Sequence, residues 1–316
     1  MHNTRCQMSG NHSWNSHLLS IKSMSKEDLY AIFEMAAKIK SNGNAIQDKS
    51  NYKSFILASL FFQPSTRTRL SFESAANRLG MRIIGFSDGE TSRSGSNWKE
   101  SMSDAASMIS GYADLAVVRH PIVDPVIQFS RHSRIPVINA GNGEGLGAEH
   151  PTQAILDIFT ISERFSFDKP LTVLLACHPS SRCARSLIFA LTKFPLAKLV
   201  LCLDGGKLFQ DDEKYLSDNK IAYRYIGALI DGLAEADVVY MAGFKERADH
   251  KVRRSLVLES CMLKIAKPEM IIMHPLPRGF ELPYSLDTSR HAAYFYQANN
   301  GLPVRMAILQ QILDSL

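Results

Sequence analysis

The sequence predicts an α/β protein made of two doubly wound parallel-sheet domains in tandem. Short apolar runs alternate with helically periodic stretches along most of the chain, and several of these runs are continuously apolar, as strands buried on both faces require. The length, 316 residues, is about twice that of a common domain. Hydrophobic residues make up 45% and charged residues 21%, an ordinary globular balance. No apolar run approaches the ~20 residues that span a bilayer, so membrane partners are not expected. Thirty-six Lys and Arg against thirty-one Asp and Glu leave a charge of +5. That excess is too mild and scattered for nucleic acid, but it suits a small anionic ligand.

The first helix is expected from Ser25 and Asp28, which form a start signal, followed by Leu29, Ile32, Phe33, Ala36 and Ile39 at helical spacing. Residues 55–62 read as a strand, and Phe72, Ala75, Ala76 and Leu79 as the apolar face of a helix that stops at Gly80. Strands at 82–86, 113–118 and 135–139 then alternate with helices at 101–110 and 123–130. A longer helix at 152–165 opens a second series, with strands at 171–176, 198–203, 222–225, 238–241 and 270–273. Between the series lies a glycine-rich stretch, 141–147, a candidate hinge because glycine absorbs backbone rotation. Five cysteines without a C-x-x-C pair indicate neither a disulfide framework nor a zinc site, and a reducing cytoplasm fits them best. Residues 1–16 are polar and read as a loose extension, since His2, Cys6 and His12 match no zinc spacing.

Chemistry concentrates after the strands, where open α/β sheets bind their ligands. Gln63-Pro64-Ser65-Thr66-Arg67-Thr68-Arg69 places three hydroxyls and two guanidiniums at a helix start, where free N–H groups and the macrodipole favour a phosphate. The plainer alternative is a polar cap with solvated arginines. Arg119-His120-Pro121 follows another strand, and His150-Pro151-Thr152-Gln153 follows the glycine-rich stretch. If they converge on one sheet edge, Arg119 and His150 polarise a carbonyl and Gln153 holds an amide. Taken singly, Arg119 also reads as a surface ion-pair former and His150 as a helix-terminal hydrogen-bonder.

These segments resemble the aspartate/ornithine carbamoyltransferase family, its aspartate branch above all. The likeness runs through nearly the whole chain after the first ~20 residues. It also includes Asn139-Ala140-Gly141, His274-Pro275-Leu276-Pro277-Arg278 and Tyr294-Phe295 through Asn300-Gly301. The resemblance implies a carbamoyl phosphate-binding domain at 1–148, with a C-terminal helix at 299–316 packing back on it, and an amino acid-binding domain at 149–298. It implies that Ser65, Thr66, Arg67 and Thr68 hold the phosphate, that Arg119 touches phosphate and carbonyl, and that His150 donates to the carbonyl oxygen. Gln153 and the Leu276 carbonyl, beside a cis Leu276–Pro277 bond, would hold the carbamoyl nitrogen. The implied reaction moves the carbamoyl group to an amino acid amine, foremost L-aspartate, in pyrimidine biosynthesis, with no metal or organic cofactor. A homotrimer with shared active sites is implied, regulatory subunits being a further partner of such chains.

The departures fall on the acceptor side. Where the family reads Arg-x-Gln, this chain reads Ala242-Gly243-Phe244-Lys245-Glu246-Arg247. A two-pronged carboxylate contact is lost, each such bond being worth roughly 1.5–3 kcal/mol, unless Lys245 substitutes. Restoring it by Gly243→Arg is expected to improve aspartate use. In the loop a neighbouring subunit lends, Trp98 stands where the family has its catalytic Lys, with Lys99 or Arg93 as replacements. Such a Trp is similar to that of acetylornithine carbamoyltransferases, although a shielding packing residue reads equally well. Gln63 replaces a Glu that pairs with arginines on closure, so that pairing is expected to weaken. Arg182, in Ser181-Arg182-Cys183-Ala184-Arg185, matches the arginine for the acceptor α-carboxylate, and Arg247 a closure-related one. Three readings follow: transfer to aspartate, transfer to another amino acid such as a diamino acid, or a silent regulatory homologue. Cys177 and Cys183 flank the acceptor region and are expected to be structural thiols.

Overall fold

Apolar runs bounded by polar loops become central strands, and the stretches of helical periodicity cover them on both faces. The structure is a computed structural model describing residues 17–44, 52–89, 100–244 and 255–316. The first sheet contains β1 (His17–Leu18), β2 (Ile56–Phe61), β3 (Arg82–Phe86), β4 (Leu115–His120) and β5 (Val137–Asn142). All pairs are parallel, in the order β1-β5-β4-β2-β3. Its helices are α1 (Lys26–Ser41), α2 (Thr66–Leu79), α3 (Met102–Ile109) and α4 (Asp124–His132). Then α5 (Pro151–Ser162) leads to the second sheet: β6 (Leu171–Cys177), β7 (Leu196–Leu203), β8 (Tyr223–Tyr225), β9 (Val238–Ala242) and β10 (Ile271–Met273). These are also parallel, in the order β10-β9-β6-β7-β8. Helices α6 (Arg182–Leu191), α7 (Gln210–Asp218) and α8 (Ile230–Leu233) connect them, and α9 (Tyr294–Leu313) follows.

The two-domain α/β class read from the sequence is therefore the one observed, and local signals explain many of the boundaries. Ser25 and Asp28 form a reciprocal capping box at α1. Gly80, at φ +91, ends α2 in the left-handed conformation that glycine adopts without penalty. Strands β6 and β9 are buried along their whole length, as continuous apolar composition demands. Several ends differ from expectation. β4 and β5 start two residues later than predicted, and β1 was not foreseen, because a two-residue strand has too little side-chain pattern to reveal itself. The C-terminal helix begins at Tyr294 instead of 299 and ends at Leu313. Its opening turns hold Asn299, Asn300, Gly301 and Pro303, which read as helix breakers; here Asn300 donates to Thr160 and Glu163, and Gly301 sits where a Cβ would meet the Arg305 guanidinium at 2.4 Å.

Helix α9 packs on α1, α2 and α5, so the last segment lies against the first sheet's helices. The largest apolar cluster joins both sheets through these helices, with Phe33, Phe72, Phe159, Phe189 and Ile308 among its members. Each sheet crosses over once: β2 is flanked by β3 and β4, and β6 by β7 and β9. Such switch points leave a crevice at the strands' carboxyl ends, and here the two crevices face each other. Among the described residues no helix is long and apolar enough to cross a membrane.

The glycine-rich stretch between the sheets is clamped by Arg185. Its Nη1 donates to the Gly145 and Ala148 carbonyls at 2.5 and 2.7 Å, while Nε and Nη2 fork onto Asp212 at 2.7 and 2.8 Å. Both charged partners are buried. Asp212→Ala leaves a buried guanidinium without its counter-charge and should cost about 3–5 kcal/mol, read as a lower urea midpoint. An unmoved midpoint would show that the carbonyl contacts alone hold Arg185.

Candidate active site

The chain leaving β2 turns at Pro64 and enters α2 through Ser65, which occupies the N-cap in extended conformation but makes no side-chain cap bond. The Ser65 hydroxyl is therefore not used by the helix, and the first N–H groups of α2 keep their capacity for an external anion. From β4 comes Arg119, whose Nη1 donates to the Ala140 carbonyl at 3.3 Å and whose Nε is buried without a partner. From the start of α5 comes His150, fixed by its N–H to Ser186 Oγ at 2.8 Å. Thr68 Oγ1 lies 3.4 Å from His150 Nε2, and Thr152 Oγ1 lies 3.5 Å from Nδ1. Gly141, at φ +109, is the point around which they gather. A Cβ there would meet Arg119 Nη1, Arg182 Nε and His150 Cδ2 at 3.1–3.2 Å, so a side chain would press on all three, on a backbone conformation that glycine adopts without penalty.

One cavity of about 1400 Å³ opens between the two sheets. Ser65, Thr66, Arg67, Thr68, Arg119, His150, Gln153, Arg182, Phe244, Leu276 and Pro277 all line it, and Leu276–Pro277 is cis. Lys99, Trp98 and Lys245, with Arg93 and Arg247, lie outside the described residues. The cavity is strongly cationic. Burial, then the repulsion of Arg182 and Arg67, brings the Arg119 guanidinium down to about 10. Burial, with Arg119, Arg182 and Arg305 nearby, holds His150 well below its ordinary value, so the ring is neutral. Among the described residues none of these four arginines pairs with a carboxylate. An electron-rich ligand carrying more than one negative charge fits such a site.

Two features mark the end of the cavity where acceptor contacts were expected. Arg182 donates to the Gly143 carbonyl at 2.8 Å and to Gln63 Oε1 at 3.0 Å, a contact across the cleft made to a neutral amide where a carboxylate would pair more strongly. An amide orients the guanidinium without cancelling its charge, which stays available to a ligand. Gly243 has φ +65, and a Cβ there would lie 2.7 Å from Ser181 Cβ and Oγ. Ser181 thus fills the space an arginine side chain would need, and Gly243→Arg is not a simple restoration. Phe244 packs edge-on to Phe280 at 6.0 Å, giving this end an apolar wall. Cys177 is buried, and burial pushes its thiol up; Cys183 lines the cavity and is raised to about 11, so both are unreactive.

Two participants escaped the sequence reading. Arg305 is the lone charged residue of α9, flanked by apolar residues, and it lines the cavity with a buried, unpartnered Nε. Its isolation in an apolar helix was the available signal. Asp157 lies one helical turn after Gln153 and receives its Nε2 at 2.8 Å. The i, i+4 spacing was visible.

The family model for the carbamoyl-P binding domain of aspartate/ornithine carbamoyltransferase matches residues 16–163, and that for its Asp/Orn binding domain matches residues 169–312. The chain belongs to this family. The catalytic subunit of aspartate carbamoyltransferase from Clostridium perfringens is 38% identical over 308 residues, covering 95% of this chain and 98% of that one. Its counterpart from Chromobacterium violaceum is 37% identical, covering 95% and 99%. Aspartate transcarbamoylase from Trypanosoma cruzi, solved with carbamoyl aspartate and phosphate, superposes with a TM-score of 0.84 at 29% identity over 94% of this chain and 95% of that one. The M. jannaschii catalytic subunit gives 0.82 at 33%, covering 95% and 98%. The fold is that of the carbamoyltransferases. The neutral state of His150 among these arginines can be checked directly. Its ring resonances should stay at their neutral positions between about pH 5 and 8, where an ordinary histidine titrates. A midpoint near 6.5 in the free protein would refute the buried, arginine-surrounded environment.

Proposed function

We propose that this chain transfers the carbamoyl group of carbamoyl phosphate to the amine of L-aspartate, giving N-carbamoyl-L-aspartate and phosphate, a step of pyrimidine biosynthesis. The observation that carries the reading is the convergence of the uncapped start of α2 with Arg67, Arg119 and neutral His150 about Gly141. In this reading Ser65, Thr66, Arg67 and Thr68 bind the phosphate, and Arg119 bridges phosphate and carbonyl oxygen. The Thr152 hydroxyl donates to His150 Nδ1, leaving the Nε2 proton for that same oxygen. Gln153 and the Leu276 carbonyl receive the carbamoyl N–H groups, and Pro277 shapes the turn. Arg182 takes the acceptor α-carboxylate, beside Phe244.

The neutral amine attacks the carbonyl carbon, forming the C–N bond and an oxyanion that faces Arg119 and His150. Collapse breaks the bond to the phosphate oxygen, and the departing phosphate takes the proton the amine loses. Catalysis then comes from positioning and from charge already in place. The side-chain carboxylate of aspartate is assigned to Lys245, with Lys99 or Trp98 supplied by a neighbouring copy in a homotrimer. The relatives' names, all aspartate carbamoyltransferases, favour this acceptor over a diamino acid.

Phosphate release from carbamoyl phosphate, assayed against a panel of amino acids, tests the reading: turnover is expected with L-aspartate. Turnover only with another amine would replace the acceptor, and none with any amine would sink the enzymatic assignment. Arg67→Ala should lower kcat/KM by roughly 100- to 1000-fold through loss of a phosphate anchor. Unchanged activity would refute the pocket assignment.

A further inference from the structure

The carbamoyl-nitrogen end of the cavity is served by two acceptors from different parts of the fold, Gln153 on α5 and the backbone turn after β10. Behind both stands a carboxyl group with no role in the chemistry above. Asp157 is 0% exposed. Its Oδ1 receives Gln153 Nε2 at 2.8 Å and Gln297 Nε2 at 2.6 Å, and its Oδ2 receives the Tyr240 hydroxyl at 2.8 Å.

We propose that Asp157 is a positioning residue that sets the polarity of this end, so that the site takes a carbamoyl group and discriminates against an acyl group of the same shape. The inference rests on the carbamoyl-transfer reading. An ionised carboxylate only accepts hydrogen bonds, so each glutamine must turn its NH₂ toward Asp157 and its oxygen away. For Gln153 the oxygen is left for the cavity, and among the described residues it takes no other hydrogen bond. For Gln297 the oxygen receives the His274 N–H at 2.7 Å. That bond fixes the start of the turn, where His274 Nδ1 in turn accepts the Leu276 N–H at 2.8 Å. Leu276 then has its carbonyl as the remaining polar group at the cavity wall. Two acceptors therefore await two N–H donors. A carbamoyl group supplies both, whereas an acetyl group offers a methyl and leaves two polar oxygens unsatisfied.

The groups facing Asp157 are Gln153 on its own helix, Tyr240 from β9, Gln297 and the Arg305 guanidinium from α9, and the Cys183 thiol from α6. Burial lifts the carboxyl to about 7 although the three donors and Arg305 oppose the rise. Protonation turns an acceptor oxygen into a donor, which lets a neighbouring glutamine turn over and present NH₂ to the ligand.

The test is calorimetric binding of carbamoyl phosphate and acetyl phosphate without acceptor. In Asp157→Asn the preference for carbamoyl over acetyl phosphate should fall about tenfold, with acetyl phosphate affinity unchanged. In the unsubstituted protein the same preference should decline as pH drops through about 7, because the carboxylate is the form that enforces the polarity; phosphate ionisation affects both ligands alike and cancels. Parallel weakening of both ligands in Asp157→Asn, or a preference flat with pH, would overturn the inference alone. If Asp157→Asn does not fold, the pH series decides. Failure of the unsubstituted protein to bind carbamoyl phosphate at all would overturn the functional reading, and this inference with it.

Discussion

Like charges held together around one crevice govern this molecule. Arg67, Arg119, Arg182 and Arg305 line one cavity, where Arg119 and Arg182 donate to neutral oxygens and the buried Arg305 faces the Asp157 carboxyl without a hydrogen bond to it among the described residues. Repulsion between guanidiniums is strong where water is scarce, and the fold must supply what keeps them there. Backbone geometry does most of this: the carbonyls of Ala140 and Gly143 lie on the segment whose Gly141 leaves the room for them. A bound dianion relieves the repulsion, so ligand and folded state stabilise each other by mass action.

The same constraint explains why two sheets are needed. One switch point delivers the α2 start and Arg119, and the other delivers Arg182 after β6 and Phe244 after β9, with the turn at His274 coming from the neighbouring β10. Neither crevice alone brings together the phosphate cradle and the residues for the rest of a ligand. The connection between them is held from one side by the Arg185 fork and from the other by Arg182 reaching Gln63. One link is buried and ionic, the other neutral and half-buried, which makes the second the weaker and the easier to exchange for a ligand.

The strands at the heart of both sheets were legible because burial on both faces leaves continuous apolar runs, as in β6 and β9. The grouping of hydroxyls and arginines at the start of α2 was legible because it is continuous in sequence. What stayed hidden depends on three-dimensional neighbours. Arg305 becomes part of the site only because α9 folds back, and Asp157 gains meaning only from Tyr240 and Gln297, which lie far along the chain. The crowding at Gly243 was likewise unreadable, since nothing local to residue 243 announces that Ser181 stands beside it.

Helix α9 comes far along the chain yet packs against α1 and α2, helices of the first sheet. During synthesis the apolar faces of those helices therefore stay uncovered until α9 has left the ribosome. The two units are separate in sheet topology but not in folding, and an isolated N-terminal fragment would lack a wall of its own interior.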